Sequence, residues 1–405
     1  MKILMFGWEF PPMKSGGLGT ACYDLCKGLF NQGIKVTFVV PRLPKTIESN
    51  FVKLVGANKY AKLTKVDSIL TPYMNSEQYT EVYENLDEVM KQNYGKNLLA
   101  EVKRYTQAVV KIIEQEDFDI IHVHDWMTYE AGKLAKEKSG KPLIAHIHAT
   151  EFDRTGGNPN KELSHKEYLG LEAADMIIAN SEYTKNNVIK NYKINSDKIK
   201  VVHWGIDADS PNYHLNVKSP FKNNKTVLFL GRVTLQKGPD YFVDMAEKVK
   251  KFIPDVKFVF VGDGDMFPKI VNQVIEKDLA ENFVFTGFLR GEEVHKAFQL
   301  ADLYVMPSVS EPFGLVALES IKNGTPVLIS KQSGVSEVLN NAFKVDFWDV
   351  NEMTNKIVSF LNYPSLNYEM KLNTIEEAKR FNLDDPAKKC IDCYNDIYNQ
   401  GVKKW

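Results

Sequence analysis

The sequence predicts an α/β protein built as two successive doubly wound halves, and three observations carry that prediction. Short apolar runs alternate with amphipathic stretches of helical period. Gly-rich turns follow several of those runs. The alternation then breaks in a polar stretch and starts again. Parallel strands need a crossover connection, usually a helix, so this alternation favours parallel sheets covered on both faces.

The elements follow in chain order. KILMFGWEF is a short strand, PPMKSGGLG a loop, and Thr20 to Gln32 a helix that Gly33 ends before the strand GIKVTFVVPR. From about Thr46 to Lys96 the chain is polar and Tyr-rich, without a periodicity that assigns it. FDIIHVHDW, KPLIAHIHAT, DMIIANS and KIKVVHWGID read as further strands with helical stretches between them. Between Asp207 and Asn224, Pro211, Pro220 and the Asn223-Asn224 pair mark a linker. KTVLFLGR, VKFVFVGDGD, NFVFTGFL, ADLYVMPSV and TPVLIS form the second set of strands, with YFVDMAEKVKKF a helix among them. Beyond about Asp346 the chain is mostly helical. The divisions expected are 1–206, 207–385 and a returning segment, 386–405.

Composition excludes several classes. A chain of 405 residues holds two or three domains. Its 51 Lys and Arg against 52 Asp and Glu leave a net charge of −1, with no general pull on a polyanion and no dense basic run, so no nucleic-acid partner is expected. No run of 18 apolar residues predicts a membrane span. Four cysteines are too few for a disulfide scaffold, which favours a reducing, cytoplasmic setting. Cys22/Cys26 and Cys390/Cys393 stand at helical spacings and are expected to pack as small hydrophobes.

In an open α/β sheet ligands bind beyond the carboxyl ends of the strands, and three clusters lie there. Lys14-Ser15-Gly16-Gly17-Leu18-Gly19 follows a strand and opens a helix, where backbone N–H groups favour anions, although a tight strand-to-helix corner explains the glycines equally well. It is neither a P-loop nor G-x-G-x-x-G, which argues against a dinucleotide cofactor. Arg232 and Lys237, in the loop after TVLFL, suit a diphosphate, with solvated surface charge as the plain alternative. Glu311 and Glu319 bracket the segment after ADLYVMPSV, the first in a loop and the second a turn inside a helix, so two carboxylates can divide labour there.

His122/His124 and His146/His148 form two H-x-H pairs on adjacent strands, each pair on one side of its sheet. With Asp125, Glu151 and Asp153 nearby they open a rival reading, a metal-dependent hydrolase. Burial on both faces of a parallel sheet makes core histidines the plainer one.

These motifs occur in one order across nearly the whole chain: Glu9-x-Pro11 before Lys14-x-Gly16-Gly17-Leu18, then HVHDW and His148, then Arg232 with Lys237, then Glu311 to Glu319 as E-x7-E in its E-P-F-G-L form. In that order they resemble the bacterial and archaeal glycogen/starch synthases and the related retaining GT-B glycosyltransferases of group 1. The resemblance implies two Rossmann-like domains facing a central cleft, with the C-terminal helix returning to the first. It implies a donor, ADP-glucose or UDP-glucose, whose leaving diphosphate meets Arg232 and Lys237, whose ribose meets Glu319, and whose sugar and phosphate meet the backbone of Phe313, Gly314 and Leu315. Glu311 and His148 would lie against the transferred sugar, while Lys14, Gly16, Gly17 and Leu18 would face the phosphates or acceptor. No metal and no cofactor is expected. The acceptor expected is the nonreducing end of an α-1,4-glucan. Thr20 and Trp204, where the synthases commonly have Asp and Asn, keep glucose, a lipid or a small metabolite open as alternatives. A sugar-nucleotide-binding protein without turnover is a further alternative.

Overall fold

The computed structural model describes residues 1–11, 17–41, 49–57, 98–207, 221 and 224–402. Lys14, Gly16 and most of the expected linker and insertion lie outside the described residues.

The first half is a seven-stranded parallel sheet in the order β3-β2-β1-β4-β5-β6-β7. Its strands are β1 Lys2–Phe6, β2 Lys35–Val40, β3 Lys53–Gly56, β4 Ile120–His124, β5 Leu143–Ile147, β6 Met176–Ala179 and β7 Ile199–Val201. The helices between them are α1 Gly17–Asn31, α2 Leu98–Gln115, α3 Trp126–Ser139, α4 Glu151–Arg154, α5 Lys161–Ala173 and α6 Glu182–Tyr192. The second half is a six-stranded parallel sheet, β10-β9-β8-β11-β12-β13. It comprises β8 Thr226–Leu230, β9 Lys257–Val261, β10 Phe283–Gly287, β11 Leu303–Met306, β12 Val327–Ser330 and β13 Phe343–Val345. Its helices are α7 Pro239–Lys250, α8 Phe267–Glu276, α9 Glu292–Leu300 and α10 Leu315–Lys322, and the chain continues through α11 Val350–Asn362, α12 Pro364–Ala378 and α13 Asp384–Val402.

Every strand read from the sequence is present. The sequence does not mark β3 and β13: β3 lies in the stretch whose periodicity is too weak to assign, and β13 is the edge strand Phe343-Lys344-Val345, in which no apolar run forms. The boundary expected at 206/207 falls between β7 and β8, and that at 385/386 falls inside the first turn of α13.

Local chemistry sets the helix ends. Gly140 takes a left-handed φ of 69° after α3, and its N–H bonds the Lys136 carbonyl, closing the helix. Asn160 caps α5 by accepting from the N–H groups of Glu162 and Leu163, and Ser181 caps α6 by accepting from Thr184 N–H. In the second half the alternating phenylalanines of the FVF strands stack into one core, with Phe229 and Phe260 at 4.4 Å and 8°.

α13 returns to the first half and packs on α1. Cys22, Cys26, Cys390 and Cys393 are free and buried at this contact, Cys26 Sγ standing 3.8 Å from Met5 Sδ, and burial pushes all four thiols up. The chain entering α13 comes so close that two glycines are required. A Cβ on Gly205 would stand 1.7 Å from the Asn382 carbonyl oxygen, and one on Gly28 would stand 2.4 Å from that of Leu383.

Gly205→Ala therefore forces the chain ahead of α13 away from the first half. The expected cost is at least the ~1–3 kcal/mol typical of overpacking, read as a lower urea midpoint; an unchanged midpoint would show that the contact does not constrain the fold.

Candidate active site

Each sheet changes direction once, between β1 and β4 and between β8 and β11. The second crevice is where an open sheet presents a ligand site. Arg232 and Lys237 follow β8, and Glu311 follows the neighbouring β11, so residues nearly eighty positions apart meet across one crevice. A cleft of about 540 Å³ opens there between the halves. Every expected site residue within the described set lines it: Gly17, Leu18, His148, Arg232, Lys237, Glu311, Phe313, Gly314, Leu315 and Glu319.

The two loops of the second half are joined by hydrogen bonds. The Gln236 carbonyl accepts from Val309 N–H at 3.0 Å, and Lys237 donates to Glu311 Oε2, which also accepts from Ser308 Oγ at 3.3 Å. Gly238 has φ 62°, and a Cβ there would stand 2.1 Å from the Pro307 carbonyl, so the Lys-Gly pair is what lets the loop sit this close. Glu311 is held as a short strand, its N–H on the Gln332 carbonyl and its carbonyl on Gly334 N–H. Gly314, at φ 110°, then turns the chain into α10, which has no side-chain cap at its N-terminus. The leading N–H groups of α10 therefore point a partial positive charge toward the cleft, beside the cations of Arg232 and Lys237. Glu319 lies one turn further along α10. Burial raises the Tyr304 phenol well above its usual value, with Glu311 and Glu319 adding to the effect, and its hydroxyl donates to the Leu230 carbonyl at 3.1 Å.

The first half supplies the opposite wall. The carboxylate of Glu9 accepts from Gly19 N–H at 2.7 Å, capping α1 where the glycines open it. His148 stands one residue beyond β5, its N–H on Asp125 Oδ1 at 2.7 Å and its carbonyl accepting from Asn180 Nδ2 at 2.9 Å. Asp125 adopts φ 58°, a conformation non-glycine residues rarely take. Of His124 and His148, the last histidine of each pair, His148 lines the cleft, whereas His124 is fully buried beneath it and does not. The four imidazoles also place Cys22, His124 and His148, and separately His122, His124 and His146, with potential ligand atoms within 4.8 Å of one another. Trp204 lies nearly parallel to His146 and His148, at 5.0 and 5.3 Å.

Several lining residues had no role in the sequence reading. Asn180 and Gln236 carried no motif, the buried Glu9 stood only as a letter inside one, and Asp125 was named only beside the histidines as a possible metal-site residue. Phe288 and Leu289 also line the cleft, with Arg290 5.3 Å over the Phe288 ring. Contacts between the halves gather on the Glu311 loop: Ser181 Oγ donates to the Pro312 carbonyl at 2.6 Å, Ser310 Oγ donates to Asp153 Oδ1 at 2.7 Å, and Tyr183 meets Ser310 at 2.9 Å. Glu337 accepts from the N–H groups of Glu182 and Tyr183 and meets His203 Nε2 at 2.8 Å. Burial opposes its ionisation, but those hydrogen bonds outweigh it and hold the carboxyl below its usual range.

Two facing parallel-sheet halves, with cations at the switch point of the second, define the GT-B class of glycosyltransferase. Residues 15–210 match the family described as Glycosyltransferase Family 4, and residues 214–381 match that described as Glycosyl transferases group 1. Together the two matches span most of the chain, which is a glycosyltransferase with a Glycosyltransferase Family 4 domain in its first half and a group 1 domain in its second. It is 28% identical over 413 residues to an uncharacterized glycosyltransferase of Methanocaldococcus jannaschii, covering 97% of this chain and 98% of that protein. It is 24% identical over 354 residues to a glycogen synthase of Mycobacterium tuberculosis, covering 84% of this chain and 80% of that one. Among solved structures it resembles Anabaena HepE in complex with UDP-glucose, at TM-score 0.68 and 18% identity over 98% of this chain and 100% of that one. No helix of the described residues is long and apolar enough to cross a membrane.

Behind His148, Asp125, Glu151 and Glu167 face the single guanidinium of Arg154 at 3.4, 3.8 and 2.8 Å. Burial pushes Asp125 up to about 6 against the pull of Arg154 and two N–H groups, and pushes Glu167 up to about 7 against Arg154 and Tyr192. Both values exceed the ordinary 3.8 and 4.5, so in that window the folded state binds more protons than the unfolded one. Their contribution to stability is therefore present at low pH and lost as pH rises through about 4 to 7. Glu167→Gln should flatten the decline of the urea midpoint across that range, and an unchanged slope would count against the protonation assigned here.

Proposed function

We propose that the protein transfers a glucosyl unit from ADP-glucose or UDP-glucose to a sugar acceptor with retention of configuration, the leading acceptor being the nonreducing end of an α-1,4-glucan. The observation that carries this reading is the convergence of Arg232, Lys237 and the uncapped start of α10 on one cleft wall. Departure of a nucleoside diphosphate leaves negative charge, and fixed cations with helix N–H donors stabilise it as it develops. In this reading the Lys237 ammonium is already oriented by Glu311 before the donor arrives. Glu319 accepts from the ribose hydroxyls, Gly287 to Leu289 flank the base, and Gly17 and Leu18 face the phosphates or acceptor. His148 and Glu311 lie against the transferred sugar. The leaving phosphate takes the acceptor's proton on the same face, so no side chain serves as nucleophile and no metal or cofactor is needed. The similarity to the mycobacterial glycogen synthase supports the glucan, and the fold shared with HepE, solved with UDP-glucose, supports the donor. The free, buried cysteines support a cytoplasmic setting.

A second reading keeps the donor and changes the acceptor to glucose, a lipid or a small metabolite. It is favoured by Thr20 and Trp204, which depart from the synthase pattern and both line the cleft.

Incubation with each donor, alone and with glycogen or a panel of small acceptors, should release nucleoside diphosphate above the no-acceptor control. Release with none of them would overturn transferase activity, and release only with a small acceptor would replace the glucan. Activity should persist in EDTA, whereas loss there and recovery on adding a divalent metal would restore the metal-dependent reading. Arg232→Ala and Lys237→Ala should each cost about 10²–10³ in turnover, the range for removing one such stabilising group. Near-wild-type turnover in both would refute their assignment.

A further inference from the structure

We propose that His124 is a positioning residue that fixes the tautomer of His148, so that His148 presents its Nδ1–H to the cleft as a hydrogen-bond donor for an oxygen of the bound ligand. Only the identity of that ligand rests on the glycosyl-transfer reading.

β4 and β5 pair in parallel with His124 opposite His146, and H-x-H on both strands puts four imidazoles on one face. They form two separate hydrogen-bonded chains. In one, Tyr394 of α13 meets His122 Nδ1 at 2.7 Å and His122 Nε2 meets His146 Nδ1 at 3.3 Å. In the other, His124 Nδ1 meets His148 Nε2 at 2.9 Å.

The second chain settles its own protons. Two neutral rings carry two N–H protons and share one hydrogen bond, so one proton lies in that bond and the other at an end of the chain. The ends are His124 Nε2 and His148 Nδ1. Among the described residues, His124 Nε2 is buried with no partner, whereas His148 lines the cleft and keeps 6% of its surface exposed. A buried N–H without an acceptor bears the full desolvation penalty, and orphaned N–H groups are rarer in folded proteins than under-satisfied acceptors. The bare nitrogen therefore belongs at His124 Nε2. His124 Nδ1–H donates, His148 Nε2 accepts, and the remaining proton sits on His148 Nδ1, the ring nitrogen left to the cleft. Both rings are neutral at physiological pH: burial pushes His124 down to about 3 and holds His148 well below its usual value, with His124, His122 and Arg154 adding to the effect on His148.

Ring rotation would undo the arrangement, and Trp204 opposes it. The indole lies within 20° of parallel on His148 and 3° on His146, so the imidazole cannot turn partway without breaking the stack, and a half-turn that restores the stack loses the bond to His124. Asp125 and Asn180 hold the His148 backbone at the same time. With its outward nitrogen protonated, His148 recognises a hydroxyl or phosphate oxygen and cannot act there as a general base.

Long-range ¹H–¹⁵N correlation of the ¹⁵N-histidine-labelled full chain tests this without turnover, the His148 signals being identified by their loss in His148→Asn. The expected pattern is a protonated Nδ1 and a bare Nε2 on His148; the opposite pattern overturns the proposal. His124→Asn, whose amide N–H can stand where Nδ1–H stands, should keep the pattern, and His124→Leu should lose it. Retention in His124→Leu would show that His124 does not set the tautomer. In donor turnover with UDP-glucose and ADP-glucose, His124→Leu should lower kcat/KM by up to about tenfold, the worth of one hydrogen bond, and His124→Asn by less. His148→Asn should outperform His148→Gln, and the reverse order would contradict the donor assignment. Absence of all turnover would sink the transferase reading and leave the spectrum to decide the tautomer.

Discussion

The Pro312 carbonyl is the joint on which the arrangement of the two halves depends. It accepts from Ser181 Oγ at 2.6 Å and Thr184 Oγ1 at 3.2 Å, two hydroxyls of the first half meeting one acceptor of the second. The same serine caps α6, so the contact is anchored to the start of a helix rather than to a free loop. Proline also biases the preceding residue toward extended backbone, and Glu311 is extended there, bridging in parallel to Ser333. Space around the carbonyl is so limited that a Cβ on Gly334 would lie 2.3 Å from it. The loop carrying Glu311, Phe313 and Gly314 is thus held from both sides, and the cleft wall owes its shape to that double grip.

Much of this was legible in the sequence because parallel strands with both faces buried read as apolar runs, and ligand-facing residues follow such runs. That logic located β8 with Arg232 and Lys237, and β11 with Glu311. It failed at two edge strands: β3, in the polar stretch after β2, and β13, where Lys344 divides the two apolar residues. It also failed for residues whose importance lies in a partner distant in sequence. Glu9 matters through Gly19 N–H, and Asp125 through His148 N–H, 23 positions away. Trp204 could be seen as a departure from a motif, but its stacking on two histidines is a property of the folded sheet.

The two walls of the cleft solve the electrostatic problem differently. The second half sets its charges against each other at the crevice, where the partly exposed Lys237 pairs with the buried Glu311. The first half buries its polar groups and then removes or matches their charge: four histidines are held neutral, and one guanidinium serves three carboxyls. Burying unmatched charge there would be costly, and a neutral wall leaves the field in the cleft to the opposite side.

The helix that completes the first half has a consequence for how the chain reaches this state. α13 covers α1 and reaches His122 through Tyr394, yet more than 260 residues separate that tyrosine from the histidine it touches. On a ribosome, the first sheet emerges well before this segment, so the apolar flank of α1 waits uncovered while the second half is made. Closing so long a loop slows assembly more than it weakens the product. Truncation before α13 would strip a side from the core of the first half rather than trim an appendage, and chaperone dependence during synthesis should track how long that flank stays bare.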